Sequence, residues 1–231
     1  MRNGLFVSVG IFLVIAFMFS CQPSVVFGEP QPVAVKPLST IPNIYRGIYW
    51  CNVDSASLYV DDRAFVRRKE FLIKTTREEI GVDPDLELVN GQLYVKDWEG
   101  YFSITEKGDT LISQIIIRDT IFAINDTQIL KPFKGHLVLN LKLNENAWEV
   151  LVVSQRRGEL LSIFRAEIPE NLAKLDSITT VSTLKGTDSI RTQIYLKPTA
   201  KEFERIYDEG LLFDGSCTEY ERIFPLKEVI Y

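Results

Sequence analysis

Leu86-Glu87-Leu88-Val89-Asn90-Gly91-Gln92-Leu93-Tyr94-Val95 is the stretch that decides the fold class. Asn-Gly between two short alternating runs predicts a two-residue type I′ hairpin turn, because both central positions need positive φ. That turn implies a register: Val89 opposite Gln92, Leu88 opposite Leu93, and Leu86 opposite Val95. Leu86, Leu88, Leu93 and Val95 then share one face, as a half-buried sheet requires.

Working outward, Leu137, Leu139, Leu141 and Leu143 alternate with His136, Val138, Asn140 and Lys142, the period of a second half-buried strand. A reversal at Glu145-Asn146 is expected to pair Leu143 with Trp148, Lys142 with Glu149, and Leu141 with Val150. The next reversal, at Arg157-Gly158, sets Arg156 opposite Glu159, so three consecutive strands form a meander. Between the hairpins, Asp109-Thr110-Leu111, Asp119-Thr120-Ile121 and Asp126-Thr127 repeat a turn-then-strand pattern. Further strands are expected at Gly47–Cys51, Phe65–Lys74, Tyr101–Thr105, Ile190–Lys197 and Thr218–Phe224. One short helix is predicted to open at Pro169-Glu170-Asn171-Leu172. Another is marked by a Thr199/Glu202 capping box, an apolar stripe of Phe203, Ile206 and Tyr207, and a stop at Gly210. The expected fold is mainly β: an antiparallel β-meander forming a curved sheet or small barrel with two short helices, or alternatively a β-sandwich.

The 26 Lys and Arg against 31 Asp and Glu leave a formal net charge of −5. Removal of a leader holding only Arg2 makes it −6. Short clusters such as Arg67-Arg68-Lys69 do not amount to the basic footprint that nucleic acid demands. Acid–base chemistry has one histidine to draw on, His136, which strand alternation places away from the leucine face. No serine occupies a G-x-S-x-G elbow, and one histidine with scattered cysteines does not make a zinc site. Asp83-Pro84-Asp85-Leu86-Glu87 spaces acids by two but lacks the glycine and distal glutamate of a calcium loop. Asp61-Asp62 and Asp97/Glu99 could be imagined as the carboxylate pair a glycosidase needs, but any acidic β protein offers such pairs by chance. No catalytic residue, metal or cofactor is assigned, and the chain is read as not an enzyme.

The amino terminus sets the address. Met1-Arg2-Asn3 precedes an apolar run from Gly4 to Phe19, then Ser20 and Cys21, the layout of an export signal. Met18-Phe19-Ser20-Cys21-Gln22 resembles the lipobox of bacterial lipoproteins. That resemblance implies cleavage before Cys21, acylation of its thiol, and a signal peptide over residues 1–20. It also implies the outer membrane, facing the periplasm, because Gln22 is not the aspartate that resembles an inner-membrane retention signal. Two other readings stay open: ordinary cleavage after Gly28, and an uncleaved membrane helix that Val25-Val26-Phe27 would prolong. Residues 21–43 carry Pro23, Pro30, Pro32, Pro37 and Pro42 and read as an extended tether with a reach of ~60 Å at ~3.1 Å per residue. Residues 44–231 are expected to be a single mainly-β domain.

Cys21 committed to lipid leaves Cys51 and Cys217 as a disulfide candidate in an oxidising compartment. A loop of that length is worth ~4–5 kcal/mol in the entropy model. Trp50, Trp98 and Trp148, with Tyr94 and Tyr101, are the ligand-pocket candidates if a barrel closes around them. Gly47-Ile48-Tyr49-Trp50 resembles the Gly-x-Trp start of lipocalin-type barrels over four residues. The function expected is a cell-envelope lipoprotein that binds or assembles with an envelope protein partner, the alternative being a lipocalin-like carrier of a hydrophobic ligand. The membrane is a partner through the lipid anchor, and nucleic acid is not.

Overall fold

The computed structural model describes residues 23–157, 159–185, 192–213, 215 and 217–224. The fold is mainly β. The chain divides into two compact units. Unit 1 draws on Met1–Ser39, Ile124–Gln155 and Ser162–Thr218, and unit 2 on Thr40–Ala123, Arg156–Leu161 and Glu219–Tyr231. The expected single domain from residue 44 is corrected accordingly, because residues before 40 belong to the first unit.

The first strand, β1 (Val25–Phe27), is the largest departure from expectation. Val25, Val26 and Phe27 are at most 1% exposed. β1 runs parallel to β15 (Thr192–Leu196), with Val25 opposite Ile194, and meets β12 (Ala147–Arg156) where Phe27 faces Trp148. Residues 23–39 are therefore not a free tether. Proline density suggests an extended chain, but the three apolar residues between Pro23 and Pro30 can bury more than solvation would return.

Unit 2 follows with β2 (Gly47–Cys51), β3 (Ala56–Val60) and β4 (Ala64–Thr76), an antiparallel meander. Next come α1 (Arg77–Val82), β5 (Leu86–Val89), β6 (Gln92–Val95), β7 (Gly100–Ser103), β8 (Thr105–Lys107) and β9 (Thr110–Ala123). α1 was not expected, although Thr76 and Glu79 complete a capping box, with Glu79 N–H donating to Thr76 Oγ1 at 3.2 Å. Strands β5, β6 and β7 form a separate three-stranded sheet. Its first hairpin has the expected register, Leu86↔Val95, Leu88↔Leu93 and Val89↔Gln92, and the turn residues Asn90 and Gly91 have φ of 50° and 78°. Leu93 and Val95 pack with Ile80, Leu111 and Ile115 into one buried cluster. β4 and β9 pair from Ala64↔Ala123 to Thr76↔Thr110. The unit's larger sheet runs β16-β2-β3-β4-β9-β8, where β16 is Cys217–Phe224.

Unit 1 resumes at β10 (Gln128–Phe133), β11 (His136–Asn144) and β12, and takes up β13 (Leu160–Arg165) from Ser162 on; β11, β12 and β13 are the expected meander. The register of β11 on β12 is one residue off the expected one: Lys142 faces Trp148, Leu141 faces Glu149, and Asn140 faces Val150. The cause is an irregularity between Lys142 and Asn144. Asn144 pairs with Ala147, so Leu143 is the surplus residue, and it is 44% exposed. One inserted residue flips every side chain beyond it to the other face. Lys142 accordingly bonds Glu145, while Glu149 pairs with Arg165 at 3.1 Å. Leu137, Val138, Leu139 and Asn140 are all buried, so both faces of β11 are covered.

α2 (Leu172–Asp176) opens at Asn171, whose side chain accepts from Lys174 N–H at 3.0 Å, two residues later than the proline suggested. β14 (Val181–Lys185) pairs antiparallel with β15. α3 (Ala200–Asp208) is capped by Thr199 and Glu202 as expected. Its Phe203 is fully buried, with ring centroids 6.1 Å from Phe27, 5.1 Å from Phe133 and 6.0 Å from Phe213. Edge-to-face rings at these distances add ~0.5–1.5 kcal/mol per pair beyond area burial. Val138, Trp148, Val150, Val152, Ile194, Leu196 and Ile206 complete this core.

Candidate functional site

The most specifically built place in the molecule is the seat of the amino-terminal segment in unit 1. Backbone bonds to β15 hold both ends of β1: Ile194 N–H donates to Ser24 O at 2.9 Å, and Gly28 N–H to Leu196 O at 2.8 Å. Beyond it, the chain enters a polar clamp. The side-chain amide of Asn140, fully buried on β11, stands in for a strand edge. It accepts from Gln31 N–H at 2.6 Å and donates to Gln31 O at 2.9 Å. Pro30 and Pro32 flank this residue with carbonyls that have no backbone partner in a ladder. Lys131 on β10 supplies one, donating from Nζ to both carbonyls at 2.9 Å.

Lys131 is only 7% exposed. Burial pushes its pKa below the usual lysine value, with the Glu29 charge pulling the other way. The Gln31 side chain is fully buried, and its Oε1 lacks a partner among the described residues. Buried polar groups are costly unless paired. Nearly every such group in this clamp is paired, so the amino-terminal segment is an integral part of the fold.

The aromatic candidates do not converge. Trp148 is 8% exposed and sits in the core of unit 1. In unit 2, Trp50 on β2 donates its ring N–H to Asn52 Oδ1 at 2.9 Å. Trp98 stacks near Phe71 at 5.0 Å, and Tyr94 and Tyr101 face each other at 4.8 Å. An open groove of about 540 Å³ in unit 2 is lined by Arg77, Ile80, Pro84, Leu86 and Lys96 among others, and by none of the expected aromatic residues. Cys21 lies outside the described residues. Cys51 is buried and free, while the side chain of Cys217 lies outside the described set.

Polar chemistry is local. Asp61 Oδ1 accepts from the N–H groups of Arg63 and Ala64, and Asp83 Oδ1 from Asp85 N–H, so both acidic runs shape turns. In unit 2, burial raises the Asp54 carboxyl pKa, but hydrogen bonds from Cys51 and Arg67 outweigh it and leave it below the usual value. Tyr220, 2% exposed, is pushed up to about 12 by burial and by the Asp54 charge. In unit 1, His136 is half-buried 5.4 Å from the Tyr207 ring, and its Nδ1 has no partner among the described residues. Burial, then the Lys134 charge, lowers its pKa.

Among the described residues, no three His, Cys, Asp or Glu side chains are grouped to hold a metal ion. No helix among them is long and apolar enough to cross a membrane. No protein family, curated protein or solved structure matches the chain.

Proposed function

We propose that this chain is a cell-envelope lipoprotein, anchored by acyl chains on Cys21, whose folded units bind or organise a protein partner without catalysis. The burial of β1 carries this reading. Cleavage after Gly28 would remove Val25, Val26 and Phe27, each at most 1% exposed, from between β15 and β12. A membrane helix prolonged through the same three residues would compete with the strand they form. Cleavage before Cys21 leaves every residue of the strand in place. Export and the lack of an aspartate after Cys21 favour the outer membrane, facing the periplasm. The finer reading of the fold is an open curved sheet in each unit. The lipocalin-like carrier gains no support from the scattered positions of Trp50, Trp98 and Trp148.

The test is the intact mass of the native protein extracted from membranes. A chain beginning at Cys21 with added acyl mass is expected, and one beginning at Glu29 without it would sink the proposal.

A further inference from the structure

The same strand fixes how close the protein stands to its anchor. Pro23 is buried, and its carbonyl accepts from Gln193 Nε2 at 2.8 Å. Only Gln22 separates Pro23 from Cys21. Two residues of fully extended chain span at most ~7 Å. Acyl chains end at the headgroup region, so a lipid on Cys21 leaves no room for a flexible spacer.

We propose that unit 1 rests directly on the lipid surface, with the corner of its sheet where β14 ends and β15 and β1 begin, carrying Pro23, Leu184 and Gln193, nearest the headgroups. This rests on the lipidation of Cys21. The register brings those residues together. Parallel pairing of Val25 with Ile194 puts Ser24 beside Gln193, and antiparallel pairing puts Leu184 opposite Gln193. Leu184 is 40% exposed there, an apolar side chain where an interface tolerates one. The opposite end is marked by the turn at Glu145-Asn146, because Phe27 faces Trp148 just past that turn while the chain toward Pro23 runs the other way.

The experiment is neutron reflectometry of the native lipidated protein on a supported bilayer of phosphatidylethanolamine and phosphatidylglycerol. Protein density should begin within ~10 Å of the headgroups, given the ~7 Å reach of two residues. A variant with 20 Gly/Ser residues inserted between Gln22 and Pro23 should open a hydrated gap of ~25 Å, the r.m.s. length of such a coil. A gap of that size under the native protein overturns the proposal. Intact mass of the same sample separates the two ideas: missing acyl mass overturns lipidation and this inference with it, whereas acyl mass with a wide gap overturns this inference alone. Orientation is read separately, by bromolipid quenching of fluorophores on Leu184→Cys and Glu145→Cys in a Cys51→Ala, Cys217→Ala background. Stronger quenching at 184 is expected, and equal or reversed quenching refutes the orientation.

Discussion

A chain beginning at Glu29 should fail to fold unit 1, and the size of the effect follows from three side chains. Val25, Val26 and Phe27 are 1%, 1% and 0% exposed. At ~1.5–3 kcal/mol for each fully buried apolar side chain, their loss removes ~5–9 kcal/mol. Unfolded chains bury some of that surface already, so the lower end is the safer figure. The carbonyl of Ser24 and its bond to Ile194 go too, at ~1 kcal/mol. The total matches the whole ~5–15 kcal/mol stability of an ordinary domain. Trp148, opposite Phe27 and 8% exposed, is the reporter. With Trp50→Phe and Trp98→Phe in the background, its emission in a chain starting at Gln22 should be blue and should shift red in one urea transition. The Glu29 chain should be red without denaturant, and Phe27→Ala should lie between, losing ~3–5 kcal/mol. A Glu29 chain whose transition lies within ~1 kcal/mol of the Gln22 chain would refute the placement of β1 as an interior strand and the argument against cleavage after Gly28, since ~5 kcal/mol is the least the burial predicts.

Asn140→Leu, which strands the backbone of Gln31 without its partner, should lower the urea stability of unit 1 by ~2–4 kcal/mol, as two buried groups lose their bonds; a loss below ~0.5 kcal/mol would count against the clamp. Thr199→Ala should cost ~1 kcal/mol through the cap of α3, read as a fall in the thermal midpoint. His136 has a lowered folded pKa, so the unfolded chain binds more protons as pH falls below ~6.5. Stability should therefore drop from about pH 7 toward the folded pKa, and His136→Gln should flatten that slope in pH-dependent urea titrations. Tyr220, pushed up to about 12, should stay un-ionised when ordinary tyrosines titrate. Absorbance at ~295 nm, compared with Tyr220→Phe, should show one tyrosine missing from the ordinary transition near pH 10, and stability should fall as pH rises from about 10 toward 12.

The hairpin at 86–95 was fully legible because Asn90-Gly91 fixes turn type, and turn type fixes register. The hairpin at 137–153 was legible as two strands but not in register. Nothing in Leu141-Lys142-Leu143-Asn144 announces which residue is left over, and both faces of β11 are apolar enough to accept either pairing. The capping box at Thr76 was readable in the letters, but Thr76 is also the last residue of a long strand, so strand pattern and cap overlap there. β1 was hidden for a different reason: three apolar residues between Pro23 and Gly28 look like the tail of a leader. Only their partners on β12 and β15, more than a hundred residues away, reveal them as core. Asn140 falls on the face opposite the leucines by alternation and hides its role for the same reason, since its partners are backbone groups that include those of that distant segment. Residue type is all that marks the aromatic candidates in the sequence, and type alone does not say that Trp148 will lie in a core and Trp98 at a surface.

Asn140 touches Gln31 through the peptide group and not through the side chain, and that makes the contact lopsided under mutation. The backbone presented by residue 31 is the same for many residues, Oε1 of Gln31 has no partner among the described residues, and its Nε2 donates only to the nearby Glu29 O at 3.2 Å. Gln31→Met should therefore be accepted, while position 140 needs a donor and an acceptor at one fixed reach, which asparagine supplies. In a saturation library of both sites, variation should accumulate at 31 and be purged at 140. A homologue search seeded on this segment would do better to require the asparagine on the strand than the glutamine it holds.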